Sequence, residues 1–158
     1  MSAAGGRDPA GPGTEAPAAE IFGDAWAAAW CRALGESASY RRAAAGWQGA
    51  LVFEATPDPA AGVARRRAVF LALEGGACRA GRAATAADRE TAPFVLRAPA
   101  GVWRLVLAGE MAPVYGLMTG KIELARGTLP RLLPFAQATE EMVATAARLP
   151  GRWPDDAV

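Results

Sequence analysis

Residues 94–127 carry the clearest alternation of strand and helix signals in the chain, and they read FVLRAPAGVWRLVLAGEMAPVYGLMTGKIELARG. The opening apolar run predicts a strand, Pro99 suits the first turn of a helix, and Gly109 ends that helix. Pro113 begins a second helix that Gly120 ends, and KIELARG then alternates as a half-buried strand does. Because the first of these helices is apolar on more than one stripe, we expect it to be buried on two sides.

Upstream of this stretch the pattern is that of a strand meander. Residues 47–55 predict a strand, and the loop TPDPAAG follows at 56–62. The run RRRAVFLALE, residues 65–74, is apolar on both faces and predicts a central strand covered on both sides. Gly75 and Gly76 predict a tight hairpin, and residues 77–83 return as a weaker strand. Three antiparallel strands are expected.

An amphipathic helix is predicted near the start of the chain. Phe22, Trp26 and Trp30 fall four residues apart, which stacks them on one face of a helix from Glu20 to Leu34. Such a stripe could also lie on a membrane, but that interpretation requires flanking Lys and Arg residues, so core packing is favoured.

Further helices are predicted from their caps. Ser37 begins a short helix, and Thr85 with Asp88 resembles a capping box in the crossover that precedes residue 94. Thr128 caps the segment LPRLLP, and Pro134 begins a terminal helix. The apolar face predicted for that helix comprises Phe135, Ala138, Met142, Ala146 and Leu149. The whole order is an α+β pattern: a three-strand meander, a crossover and two further strands form a five-stranded sheet covered by helices.

Composition excludes several kinds of function. The 158 residues are 52% hydrophobic and 21% charged, which suits one globular domain. The net charge of +1 gives no basic surface for nucleic acid. The chain has no histidine, which excludes Ser-His and Cys-His nucleophiles and His-liganded zinc. The run Arg65–Arg67 could hold a phosphate or an acidic headgroup, but an exposed strand entrance explains it as well.

The two cysteines, Cys31 and Cys78, form no CxxC motif and lie far apart in sequence. We interpret each as a small buried hydrophobic residue rather than as half of a disulfide, which fits a reducing cytoplasm.

The termini differ in composition from the centre. Residues 1–19 are rich in Gly, Pro and Ala and predict a disordered extension, with neither a secretory signal nor a membrane span. We expect the folded domain at 20–150, a tail at 151–158, a cytoplasmic location and no stable membrane insertion.

Catalysis has few candidates. They are Glu110, Tyr115, Lys121 and Glu123, of which a partly buried Glu110 beside Tyr115 could abstract a proton. Paired carboxylates, a phosphate-binding loop and metal-ligand spacing are all missing from the sequence, so we expect no catalytic residue, no metal and no cofactor. A small enzyme acting on an apolar substrate remains an alternative.

Large apolar residues crowd the part of the chain from Phe94 to Leu149. Helices of this composition on one sheet either form a dense core or wall a cavity. Met111, Met118 and Met142 lie in this region, and flexible thioethers suit a wall that adapts to different guests.

The chain resembles the sterol carrier protein type 2 family. The resemblance spans roughly residues 21–149 and rests on WRLVLAGE at 103–110, on Pro113, and on LMTGKIELARG at 117–127. It implies a non-catalytic carrier that binds lipids and transfers them within the cell, with an apolar tunnel for fatty acids, fatty acyl chains or sterols beneath a C-terminal helix. Of these ligands we expect a linear acyl chain. The alternative to a carrier or an enzyme is a structural or interaction domain with a closed core. The oligomeric state is not indicated.

The resemblance also implies where the tunnel runs. Its ligand-binding wall would comprise Trp103, Val106, Leu107, Tyr115, Leu117, Met118, Ile122, Leu124, Leu132, Leu133, Phe135 and Met142.

Overall fold

Five strands form one sheet in the computed structural model, which describes residues 18–154. The strands are β1 Leu51–Thr56, β2 Arg67–Glu74, β3 Ala77–Ala83, β4 Phe94–Pro99 and β5 Glu123–Arg126. The α-helices are α1 Asp24–Gly35, α2 Ala38–Ala43, α3 Ala86–Thr91, α4 Ala100–Leu107, α5 Pro113–Met118, α6 Leu129–Leu132 and α7 Ala136–Ala147. Short 3₁₀ turns cover Pro59–Ala61 and Leu133–Phe135.

The sheet is mixed, with strand order β3-β2-β1-β4-β5. β1, β2 and β3 pair antiparallel, as the meander predicts. The crossover that contains α3 brings β4 alongside β1 in parallel, and β5 then pairs antiparallel with β4. The predicted α+β class and strand plan are confirmed, although β1 rather than β2 is the middle strand.

The two faces of the sheet are covered unequally. Phe53, Leu71 and Leu96 belong to the main core, which also takes in residues of α1, α4 and α7. On the other face Val52 and Val95 belong to a small separate cluster. Phe70 on that face is only partly buried. The expectation that β2 is covered on both sides is therefore met on one face only.

The predicted helix caps and turns between the elements are largely confirmed. The Ser37 hydroxyl accepts a hydrogen bond from the backbone N–H of Tyr40, and Thr85 and Asp88 form the reciprocal capping box. Gly75 and Gly76 both have positive φ, 59° and 89°, as a tight hairpin requires. Thr128 precedes α6 as predicted, but its side chain makes no capping hydrogen bond.

The first helix begins later than its aromatic stripe predicts. α1 begins at Asp24, and Phe22 lies outside it with φ of 69°. Phe22 nevertheless stacks on Trp26, with ring centroids 5.5 Å apart, and the Trp26 ring lies 5.0 Å from that of Trp30. The aromatic stripe therefore packs in the hydrophobic core, as expected.

The expectation that α4 is buried on two sides is wrong. Trp103 and Val106 face the core, whereas Arg104 is exposed and Leu105 is 39% exposed. The physical reason is that α4 packs on the core through the side that carries Trp103 and Val106, while Leu105 lies on the side that faces solvent.

The interpretation of Cys31 and Cys78 as separate thiols is also wrong, because they form a disulfide with Cα atoms 5.4 Å apart. α1 lies directly across β3, and Gly81 allows this close approach: a Cβ at Gly81 would meet the Ala27 carbonyl oxygen at 2.4 Å and Cys31 Cβ at 2.7 Å. The sequence distance between Cys31 and Cys78 gave no sign that α1 and the edge strand β3 are in contact at this point.

The ends of the described region meet. Ile21 donates a backbone hydrogen bond to Arg152, Arg152 donates one to Ala19, and Trp153 stacks on Phe22. The predicted disordered extension falls mostly on residues 1–17, which lie outside the described residues, as do residues 155–158 of the predicted tail. None of the helices between residues 18 and 154 combines the length and the hydropathy that a transmembrane segment requires.

Candidate functional site

The candidate site lies beneath α7, where this helix covers the sheet. α7 turns Ala138, Thr139, Met142 and Ala146 inward, and all four are buried. The predicted core positions Ala138, Met142 and Ala146 are confirmed, whereas Phe135 and Leu149 lie outside α7 and are only partly buried, because the helix begins at Ala136 rather than at Pro134. The buried indole N–H of Trp30 in α1 donates to the backbone carbonyl oxygen of Met142 at 3.0 Å and so links α7 to α1.

Three hollows follow one another along the underside of α7. The outer groove lies between α4, the α4–α5 loop and α7; its lining residues include Val106, Leu107, Gly109, Met111, Ala112, Pro113, Glu140, Val143, Ala144 and Ala147. The inner cavity is lined by Leu51, Phe53, Leu96, Trp103, Pro113, Leu117, Ile122, Leu132, Thr139, Met142 and Val143. The far cavity is lined by Tyr40, Ala44, Trp47, Leu51, Leu73, Leu132, Phe135, Ala138, Thr139 and Met142.

Shared walls make these hollows a single line, which we call the apolar seam. The outer groove and the inner cavity share Pro113 and Val143. The inner and far cavities share Leu51, Leu132, Thr139 and Met142. The seam therefore leads from the α4–α5 loop, under α7, towards α2.

The seam is narrow in this structure. The inner and far cavities each hold about 10 Å³, which is one water-sized space, and the outer groove holds about 230 Å³. Pockets for small organic ligands are roughly 300–1,000 Å³. The expected open tunnel is thus not seen: its position is filled largely by the protein's own side chains, with a line of small voids.

The walls of the two cavities are almost wholly apolar. The hydroxyl of Thr139 bonds to the carbonyl of Ala136 within α7, at 2.7 Å, so it offers no strong polar site to a guest. At the far end, burial raises the pKa of Tyr40 to about 12, so its phenol stays neutral. Among the described residues that line the outer groove, Glu140 is the only ionisable one.

The predicted wall residues divide into four groups. Those that line the two cavities are Trp103, Leu117, Ile122, Leu132, Phe135 and Met142. Val106 and Leu107 line the outer groove, and Leu124 is half-buried against the main core. Tyr115 and Met118 are 55% and 63% exposed and lie largely in solvent, and Leu133 is 39% exposed.

Sequence reasoning missed the sheet side of the seam. Leu51, Phe53 and Leu96 line the inner cavity from β1 and β4, and Trp47 lines the far cavity from the loop before β1. The strand alternation could have indicated the first three, since they point to the face that the helices cover. No local signal pointed to Trp47, which reaches the seam through its packing on Phe135 at a centroid distance of 5.0 Å.

The four candidate catalytic residues do not form a site. Glu110, Tyr115, Lys121 and Glu123 are all exposed, so the partly buried carboxylate that proton abstraction would need is not found at Glu110. Glu123 lies 3.6 Å from the guanidinium of Arg97 as a surface ion pair. Within residues 18–154 there is no cluster of three potential metal ligands.

One buried carboxylate lies elsewhere, on the opposite face of the sheet. Glu54 is 1% exposed and bonds to Arg97 at 2.8 Å and to Arg66. Burial acts to raise the pKa of this carboxyl, but hydrogen bonds and charges from Arg97 and Arg66 outweigh it, so the pKa lies below its usual value. Arg66, from the basic run at 65–67, thus has a structural partner.

Solved structures share this architecture. A crystal structure of sterol carrier protein 2 has a TM-score of 0.74 and 43% identity, covering 82% of this chain and 99% of that one. A solution structure of a conserved hypothetical protein from Thermus thermophilus, suggested to be a sterol carrier protein, has a TM-score of 0.75 and 40% identity over 89% of this chain and 96% of that one. Sterol carrier protein 2 from Yarrowia lipolytica, at 15% identity and a TM-score of 0.54, covers 81% of this chain and 90% of that one, and shares the fold.

The chain therefore has the sterol carrier protein 2 fold. No family model and no curated protein matches it. The identity to the crystal structure over almost the whole of that protein nevertheless places it plainly: this chain belongs to the sterol carrier protein 2 family. The resemblance seen in residues 103–127 is confirmed.

Proposed function

We propose that this protein is a non-catalytic carrier that binds one lipid acyl chain along the apolar seam, with α7 moving away from the sheet to admit it. The observation that carries the proposal is the continuity of the seam, since the outer groove, the inner cavity and the far cavity share lining residues. The names of the related structures, which are sterol carrier proteins, support a lipid as the guest.

The hydrophobic effect supplies the binding energy. Each methylene buried is worth at most about 0.8 kcal/mol, or roughly a fourfold change in Kd. The walls offer few polar partners, so we expect affinity to follow chain length rather than headgroup contacts. A linear chain suits a narrow seam better than a rigid, wide ring system does.

Of the two long helices, α7 is better suited to move than α1, because its buried face is built mainly from small residues. Ala138, Thr139 and Ala146 bury little apolar area, whereas α1 buries Trp26 and Trp30. The other buried threonine hydroxyl, that of Thr145, donates a hydrogen bond to the backbone carbonyl oxygen of Glu141 at 2.7 Å within α7, so lifting the helix does not break this bond. Separating α7 from the sheet therefore costs less than separating α1.

The first experiment is extraction of the natively purified protein with organic solvent, followed by mass spectrometry, and titration with saturated fatty acids and fatty alcohols of increasing length. We expect co-purifying lipid and a Kd that falls with each added methylene. A protein with no extractable lipid and no length-dependent binding would be a structural domain with a closed core.

Two variants on α7 locate the binding site. Thr139→Leu enlarges a side chain shared by both cavities and should weaken binding of a long-chain fatty alcohol severalfold. Gln137→Leu places the same side chain on the exposed face of α7 and should leave binding unchanged. Equal effects of the two would exclude the seam, provided that circular dichroism shows both variants folded.

A further inference from the structure

The outer groove is the widest part of the seam, so it is where the polar end of a bound chain would lie. Its volume is about 230 Å³, against about 10 Å³ in each cavity farther in. A chain that enters tail first fills the cavities with methylenes and leaves its headgroup in the groove. The charges around the groove then act on that headgroup.

Among the described residues that line the groove, the only charged side chain is acidic, that of Glu140 in α7. Arg104 lines the neighbouring groove, where its guanidinium bonds to the Ala61 carbonyl at 3.2 Å and lies 5.2 Å from the Trp153 ring. The Arg104 guanidinium therefore makes its contacts outside the apolar seam.

From this arrangement we propose that the outer groove selects single-chain lipids with an uncharged polar end, such as fatty alcohols, over the carboxylate of free fatty acids. The inference rests on the proposed function and specifies its ligand class. A carboxylate headgroup within about 5 Å of Glu140 would lose roughly fourfold in affinity at low salt through charge repulsion, and less at higher ionic strength. A hydroxyl carries no such penalty and can donate a hydrogen bond to the Glu140 carboxylate.

The test compares a fatty acid and a fatty alcohol of the same length on the wild-type protein, Glu140→Gln and Glu90→Gln. Glu90 is exposed on α3, beside the opposite face of the sheet, so its replacement changes the net charge equally without touching the seam. The diagnostic quantity is the ratio of the two Kd values, because alcohol and acid also differ in hydration.

We expect Glu140→Gln to tighten fatty acid binding about fourfold at low salt and to leave fatty alcohol binding within twofold, so the ratio of the two Kd values shifts. In Glu90→Gln the same ratio should stay at the wild-type value. Added salt should tighten fatty acid binding to the wild type but not to Glu140→Gln. An unchanged ratio in Glu140→Gln would overturn the headgroup inference while leaving the carrier proposal intact. Failure of both lipids to bind any of the three proteins would overturn the carrier proposal and this inference with it.

Discussion

Replacing Trp30 by Phe should make the protein less stable and yet faster at taking up a lipid. The buried indole N–H of Trp30 donates to the Met142 carbonyl at 3.0 Å, which fixes α7 to α1. A buried hydrogen bond of this kind contributes about 1 kcal/mol, so its loss should raise the fraction of molecules with α7 displaced about fivefold. If only that fraction binds, the apparent Kd should fall and the association rate should rise by the same factor.

A matched control is present on α4. Trp103 also donates its indole N–H to a buried backbone carbonyl, that of Glu54 at 2.9 Å, but this bond joins α4 to β1 and not to α7. Trp103→Phe removes the same chemical groups beside Phe53, but Trp103 also lines the inner cavity and Trp30 does not. The Trp103 variant therefore tests whether extra space in the seam, rather than release of α7, speeds uptake. Both variants should lower the free energy of unfolding by a similar amount, about 2 kcal/mol.

Stopped-flow fluorescence with a labelled long-chain fatty alcohol measures the association rate, and urea unfolding measures the stability. We expect only Trp30→Phe to accelerate uptake. If both variants bind at the wild-type rate, or if both accelerate equally, then release of α7 is not what admits the lipid, and the guest enters by a different movement.

Two further predictions concern stability. Replacing Cys31 and Cys78 together by Ala should lower the free energy of unfolding by about 4 kcal/mol, a value that follows from the 47-residue sequence separation of the two cysteines. In urea unfolding, a reductant should lower the stability of the wild type to that of the double variant. Equal stability of the wild type with and without reductant would contradict the disulfide. The hydrogen bond from Arg82 holds the pKa of Asp88 at about 2, below its ordinary 3.8, so this carboxylate stabilises the fold above about pH 4 and loses that contribution as the pH falls through 2. Asp88→Asn should therefore lower stability at neutral pH by about 1 kcal/mol and flatten the acid part of the stability curve, and an unchanged curve in acid denaturation would show that the pair is fully screened.

The sequence alone determined the order of the elements, because their signals are local. Pro113 and Gly120 bound α5, the Gly75-Gly76 pair turns the hairpin, and Thr85 caps α3 without help from distant residues. Half of the predicted wall residues also line the two cavities, since the four-residue spacing of α7 and the resemblance in residues 103–127 both point to the helical side.

Only the tertiary structure decided what those elements enclose. Cys31 and Cys78 pair because α1 crosses β3 at Gly81, and Leu51 meets Met142 in one cavity because α7 lies over β1. Whether a space between two surfaces stays open depends on their separation to within one side chain, and that distance follows from the packing of every layer together. Periodicity along the chain specifies which face of an element is apolar, but it carries no information about how closely two apolar faces approach.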